Sequence, residues 1–155
     1  MSVPAVGTQA PDFTVLTDKG ESLTLSSLKG QPVVLYFYPK DDTSGCTIEA
    51  CEFRDAFPQF EHDKAVILGV SPDDVKSHVK FKKKFDLPFT LLADTDKAIA
   101  QAYDVWQEKS MYGRKYMGVV RTTFIIDKKG KVAKVFEKVT PTGHAAEVKA
   151  AIDAL

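Results

Sequence analysis

The sequence predicts an α/β fold in a single domain spanning residues 1–155, with a central mixed β-sheet flanked by helices on both faces. Three observations predict it. Short β-branched and aromatic runs, bounded by prolines or turn residues, read as buried strands. Between them lie segments with apolar residues three or four apart, which read as helices, so the strands they connect pair in parallel. Late in the chain, Lys128-Lys129-Gly130 joins two strands as a hairpin and so adds antiparallel pairing.

The elements follow in order. Val33-Val34-Leu35-Tyr36-Phe37-Tyr38, between Pro32 and Pro39, belongs at the centre of the sheet. The turn over residues 40–45 leads into a helix on which Phe53, Phe57 and Phe60 form one apolar face. Thr43 or Ser44 suits its start, and Pro58 is expected to end or kink it near residues 54–57. Residues 66–70 form a second buried strand, stopped by Ser71-Pro72-Asp73, and a helix with Val75, Val79, Phe81 and Phe85 on its packed side comes next. Residues 89–92 are a short strand and 96–103 a helix, with Asp94 or Asp96 near its start. Residues 104–118, containing Trp106, Tyr112 and Tyr116, read as a loop; the three aromatics suit either a packed loop or a pocket lining. Residues 119–127 and 131–136 are the hairpin strands, and Val148, Ile152 and Leu155 mark a last helix beginning near Thr142 or Gly143. After a small N-terminal extension, the order β-α-β-α-β-α-β-β-α is that of a thioredoxin-like sandwich.

Composition removes several function classes. Lys+Arg and Asp+Glu number 21 each, so the net charge is zero and no overall field draws in nucleic acid or an anionic membrane. The basic run at residues 80–84 is interleaved with Phe81 and Phe85, one helical turn apart, and reads as a solvated face over a buried one. The longest apolar run, residues 32–39, is far short of a membrane span, and the first thirty residues mix Asp12, Asp18, Lys19 and Glu21 with apolar ones. A cytoplasmic protein is expected. His62, His78 and His144 show no ligand spacing and no glycine-rich nucleotide motif is present, so neither a metal nor a cofactor is expected.

The chemistry concentrates at Cys46 and Cys51, the only two cysteines. Too few for a disulfide scaffold, they suit redox work or inert burial. Cys46 falls at the start of the helix that follows the central strand, where unpaired backbone N–H groups and the helix dipole favour an anion. An ordinary thiol, with a pKa near 8.5, is only about 3% thiolate at pH 7, and the dipole typically contributes about 0.3–1 kcal/mol. A cation or several directed donors must therefore assist. Lys40 and Arg54 are near in sequence, but Arg121 is the strongest candidate, because a charge within the core-like run 119–126 is unfavourable unless it is paired. On a continuous helix, residues five apart have Cα atoms roughly 8.6 Å apart, beyond the roughly 4.4–6.8 Å a disulfide spans. If the two cysteines are catalytic partners, part of that helix must unwind.

The segment Tyr38-Pro39-Lys40-Asp41-Asp42-Thr43-Ser44-Gly45-Cys46-Thr47-Ile48-Glu49-Ala50-Cys51 closely resembles the active-site segment of peroxiredoxins, and within them the bacterioferritin comigratory protein, or peroxiredoxin Q, group. Pro39, Thr43 and Cys46 meet the family pattern, and the five-residue step to Cys51 is the mark of the group. Arg121-Thr122-Thr123-Phe124, Ala10-Pro11-Asp12-Phe13 and Gly143-His144-Ala145 are also similar, so the resemblance covers essentially the whole chain. One departure is Ser44, where many members carry proline. The resemblance implies a thioredoxin-dependent peroxidase of the atypical two-cysteine type. In it Cys46 is oxidised by a hydroperoxide to a sulfenic acid, Cys51 resolves this as an intramolecular disulfide, and thioredoxin or a similar dithiol protein restores both thiols. Arg121 would hold the thiolate and a peroxide oxygen, Thr43 would hydrogen-bond the sulfur or the peroxide, and Pro39 would shield the pocket. Backbone N–H groups at Gly45 and Cys46 would be further donors, and Glu49 would orient Arg121. A monomer is implied, since both cysteines lie in one chain.

Two other readings fit the same fold. A thioredoxin-type disulfide reductase would use Cys-x-x-Cys facing a proline, whereas four residues separate these cysteines and Thr122 and Thr123 follow Arg121. A chaperone-like binding module with structural cysteines would have no use for Thr43 and Arg121.

Overall fold

The computed structural model describes residues 3–155. Two short strands, β1 (Thr14–Leu16) and β2 (Ser22–Thr24), form a hairpin in the N-terminal extension, which the sequence left without structure. Then come β3 (Val33–Phe37), α1 (Ser44–His62), β4 (Val66–Ser71), α2 (Val75–Phe85), β5 (Thr90–Ala93) and α3 (Ala98–Ala102). The chain closes with β6 (Trp106–Met111), β7 (Arg114–Val119), β8 (Thr122–Ile126), β9 (Val132–Phe136) and α4 (His144–Asp153).

The main sheet has the order β5-β4-β3-β8-β9. β3 lies at its centre, parallel to β4 with Leu35 opposite Leu68, and antiparallel to β8 with Leu35 opposite Phe124. Because successive strand residues point to opposite faces, β3 divides its side chains between two cores. Val34, Tyr36 and Tyr38 meet Phe53 and Phe60 of α1, Phe81 of α2 and Val148 of α4. Val33, Leu35 and Phe37 meet Ile99, Tyr103, Phe124 and Leu25 on the other side. The mixed, doubly covered sheet is the architecture the sequence predicts.

Four local expectations are corrected. α1 continues through Pro58 to His62. An internal proline costs a helix about 3 kcal/mol, but burying each of Phe53 and Phe60 returns about 1.5–3 kcal/mol, and Pro58 itself is exposed, where water can serve the carbonyl of Arg54. On α2 Phe81 and Phe85 pack as expected, but His78 joins them in the core and Val79 is exposed. The helix expected over 96–103 is confined to α3, where the two oxygens of Asp94 accept the Ile99 and Ala100 N–H groups at 3.0 and 2.9 Å. Leu155 lies beyond α4 and is exposed.

The largest difference is at residues 104–118, which form the β6–β7 hairpin rather than a loop. Its two-residue turn is Tyr112-Gly113, both with positive φ (52° and 78°), the geometry that matches the twist of the flanking strands. Most of its residues are exposed on both sides, so no alternation of apolar and polar residues announces it. Tyr112, 99% exposed at the tip, lines no pocket.

Candidate active site

The link from β3 to α1 delivers Cys46 to the first turn of α1. Thr43 takes an extended conformation as the residue before the helix, and the Thr47 N–H donates to its carbonyl at 2.8 Å to begin the helical ladder. The backbone N–H groups of Gly45 and Cys46 therefore belong to the first turn, which has no internal acceptors. Cys46 is a buried free thiol, 1% exposed; Cys51 is a half-buried free thiol further along the same unbroken helix.

Arg121 arrives from a break in the chain rather than from a strand interior. Val119 ends β7, β8 begins at Thr122, and the Arg121 carbonyl accepts the Val139 N–H at 3.0 Å. Its side chain is only 16% exposed. Nη2 donates to Cys46 Sγ at 3.3 Å, and Nη1 donates to Glu49 Oε1 at 2.9 Å. Gly45 makes room for this fork, since a Cβ there would stand 3.1 Å from Nη2 and 3.4 Å from Cγ of Pro141. Burial works against the charge on Arg121, but Glu49 and Cys46 more than offset it and raise its pKa. The other candidate cations lie elsewhere: Lys40 is exposed, and Arg54 donates to Asp55 and to the Phe85 carbonyl.

Thr43 is not brought onto the sulfur. Its hydroxyl donates to the Lys40 carbonyl at 2.9 Å, so it must release that bond before donating to a peroxide, although its lone pairs can accept. Pro39 is half-buried just after Tyr38.

The AhpC/TSA family profile matches residues 6–135. The chain belongs to that family. Peroxiredoxin Bcp of Bacillus subtilis is 51% identical over 142 residues, covering 92% of this chain and 90% of that protein. Among solved structures, Xylella fastidiosa PrxQ, as a cysteine-to-serine variant, superposes with a TM-score of 0.93 at 37% identity over 99% of this chain and 98% of that one. A structure of the Xanthomonas campestris bacterioferritin comigratory protein, described for its alkyl peroxide reduction, gives 0.90 at 40% identity over 99% and 98%. The chain is a peroxiredoxin of the Bcp, or peroxiredoxin Q, group on a thioredoxin-like fold, and its activity is thiol-dependent peroxide reduction.

In this peroxiredoxin the carboxyl of Glu49 is buried, and its second oxygen, Oε2, has no hydrogen-bond partner. Burial dominates over the attraction of Arg121 and pushes its pKa from the ordinary 4.5 up to about 7. A carboxyl that holds its proton more tightly when folded destabilises the fold once that proton is lost. The penalty is absent below about pH 4.5, grows as pH rises, and is complete above about pH 7. At 1.36 kcal/mol per pH unit the gap corresponds to about 3 kcal/mol. Glu49→Gln, which keeps an acceptor for Arg121, is expected to unfold several degrees above the wild type at pH 8 but close to it at pH 4.5. Thermal unfolding across that range checks this, and parallel pH curves for the two proteins would refute it.

One further cluster went unread in the sequence. Asp41, Asp73 and His78 bring carboxylate oxygens and a ring nitrogen within 4.8 Å of one another, the only such potential metal-ligating group among the described residues. Hydrogen bonds with Tyr38, Ser71, Ser77 and the Asp41 N–H already engage these atoms, so the group is a hydrogen-bond network. Asp41 and His78 are 37 residues apart, and no spacing rule joins them.

Proposed function

We propose that Cys46 is the attacking sulfur of this peroxiredoxin, that Arg121 holds it and the peroxide, and that Cys51 resolves the oxidised sulfur. The observation that carries the reading is the 3.3 Å contact of Arg121 Nη2 with Cys46 Sγ, made while the other arm of the guanidinium is fixed on Glu49.

The thiolate of Cys46 attacks one oxygen of a hydroperoxide. The S–O bond forms as the O–O bond breaks, and the departing oxygen leaves with the electron pair and takes up a proton, giving an alcohol or water and a sulfenic acid at Cys46. A low thiol pKa alone gains little, because nucleophilicity falls with basicity. The rate comes from donors aimed at charge that moves onto the leaving oxygen: the guanidinium of Arg121, the Gly45 and Cys46 N–H groups, and the Thr43 hydroxyl once it leaves the Lys40 carbonyl. Pro39 limits access of water. The Cys51 thiolate then attacks Sγ of Cys46, the S–S bond forms, and the hydroxyl departs as water after gaining a proton. Thioredoxin or a related dithiol protein reduces this disulfide and is itself oxidised. Hydrogen peroxide and organic hydroperoxides are the proposed substrates, the latter supported by the alkyl peroxide activity described for the Xanthomonas protein. We further infer a monomer acting in the cytoplasm. Both cysteines lie in one chain, and no helix among the described residues is long and apolar enough to cross a membrane.

The resolving step requires α1 to open. Both cysteines sit on one continuous helix, and the roughly 8.6 Å between Cα atoms five residues apart exceeds disulfide reach. Adding one equivalent of hydrogen peroxide to the reduced protein is expected to yield a Cys46–Cys51 cross-linked peptide by mass spectrometry. Amide hydrogen exchange over residues 44–52 should accelerate strongly, while β3 stays protected. A cross-link formed with exchange unchanged would refute the unwinding, and a protein whose Cys46 remains a thiol would refute the whole assignment.

A further inference from the structure

We propose that Asp41 and His78 are positioning residues for the peroxide reaction: they clamp the segment between β3 and α1 onto α2, and the clamp must release before Cys46 and Cys51 can join. The inference rests on Cys46 being the attacking sulfur.

That segment carries Pro39 and Thr43 and has no helical or strand ladder of its own, so side chains must hold it. Asp41, 7% exposed, is the anchor. Its Oδ1 accepts the Tyr38 hydroxyl at 2.6 Å, and its Oδ2 accepts the Ser77 hydroxyl at 2.8 Å and faces His78 Nδ1 at 2.7 Å. Its own N–H donates to Asp73 Oδ2 at 2.8 Å. Four connections, one from Tyr38 within the segment itself, one from the turn after β4 and two from α2, thus converge on one residue five positions before Cys46.

The fully buried ring of His78 fixes the protons. Nε2 faces the Leu92 carbonyl at 2.8 Å, and a carbonyl only accepts, so Nε2 carries a hydrogen. Nδ1 faces a carboxylate, so a second proton occupies that contact and the pair is an imidazolium on an aspartate. The groups around the ring agree. Tyr38 and Asp41 face it from the segment after β3, Asp73 from the turn after β4, and the Leu92 carbonyl from β5. Asp74 lies at the start of its own helix, and Lys82, one turn on, is already paired with Asp18 at 3.0 Å. Burial opposes the charge, but Asp41, Leu92 and Asp73 outweigh it and raise the pKa of His78. As pH climbs past that raised value, the bridging proton leaves and two lone pairs face each other across the contact, so the clamp loosens.

The clamp acts oppositely on the two chemical steps. Holding the segment keeps Cys46 against Arg121 and favours attack on peroxide. Opening α1 pulls on the same segment, so holding it slows disulfide formation. Stopped-flow mixing with peroxide separates the steps, because the first depends on peroxide concentration and the second does not. His78→Asn, Asp41→Asn and Ser77→Ala are expected to slow the first step, the first two by roughly tenfold, as the loss of a charge-assisted hydrogen bond commonly does. All three should accelerate the second step. In the wild type the first step should decline as pH rises through the titration of His78, and in His78→Asn that decline should vanish. Equal slowing of both steps, or no change in either, would leave the network a purely structural feature and overturn the inference. A measurement free of any folding defect is a ¹⁵N titration of the wild-type ring: a ring that keeps both protons to higher pH than a free imidazole supports the clamp, and one that loses its second proton at or below that pH overturns it. A wild type lacking any peroxide-dependent phase would instead overturn the assignment of Cys46.

Discussion

Replacing Cys46 with serine is expected to reduce peroxide consumption, coupled to a dithiol protein, to background. A serine hydroxyl at that position is far less acidic and far less nucleophilic toward an O–O bond than a thiolate, and a guanidinium 3.3 Å away does not close that gap. Cys51 does not substitute for it. Arg54 neighbours it, but its Nε and Nη1 are committed to Asp55 and to the Phe85 carbonyl, and among the described residues no Arg121-like fork donates to it. Cys51→Ser is expected to behave differently: one equivalent of peroxide is consumed in a burst, Cys46 accumulates as the sulfenic acid, and turnover stalls. Excess peroxide then carries that sulfur on to the sulfinic acid, which a dithiol does not reverse. Stopped-flow consumption together with intact-mass measurement distinguishes the two variants. Activity in Cys46→Ser comparable with wild type would defeat the assignment outright. A burst of zero in Cys51→Ser would show that the two cysteines do not act in the proposed order.

How far the sequence reveals this molecule depends on whether a residue's partners lie close along the chain. The β3 run is legible because burial on both faces demands an unbroken apolar stretch, and β3 is fully buried. Arg121 is legible for a related reason, since a charge amid core residues needs a partner; its partners, Cys46 and Glu49, are 75 and 72 residues away. The break that frees Arg121 from a strand was not legible, because Val119-Val120 carries the apolar pattern straight across it. Pro58 misled for the opposite reason. Local propensity argued for a stop, while the decisive term was tertiary burial of the phenylalanines on either side. The β6–β7 hairpin buries too little for periodicity to show. The Asp41–His78 network joins a loop to a helix, and an aspartate in a polar loop reads as a surface residue, since aspartates are mostly exposed.

The second large effect concerns Arg121. Arg121→Gln is expected to lower the second-order rate constant for peroxide by about 10²–10³, the usual consequence of removing a donor aimed at developing charge. Arg121→Lys should recover only part of this. An ammonium is a single compact charge and cannot reproduce the fork that meets Cys46 Sγ at 3.3 Å and Glu49 Oε1 at 2.9 Å together. Stability is the complication, since removing one member of a buried pair commonly costs about 3–5 kcal/mol. The loss here should be smaller at low pH, because Glu49, already pushed up to about 7 by burial, takes a proton and sheds its charge. The double variant Arg121→Gln/Glu49→Gln separates the two effects. It should regain most of the unfolding temperature lost at pH 8 and none of the peroxide rate. Rates follow from stopped-flow mixing and stability from thermal unfolding of the same samples. If the rate returns together with stability, Arg121 acts by holding the fold; if it stays low in a protein as stable as wild type, the guanidinium acts on the reacting oxygen and sulfur themselves.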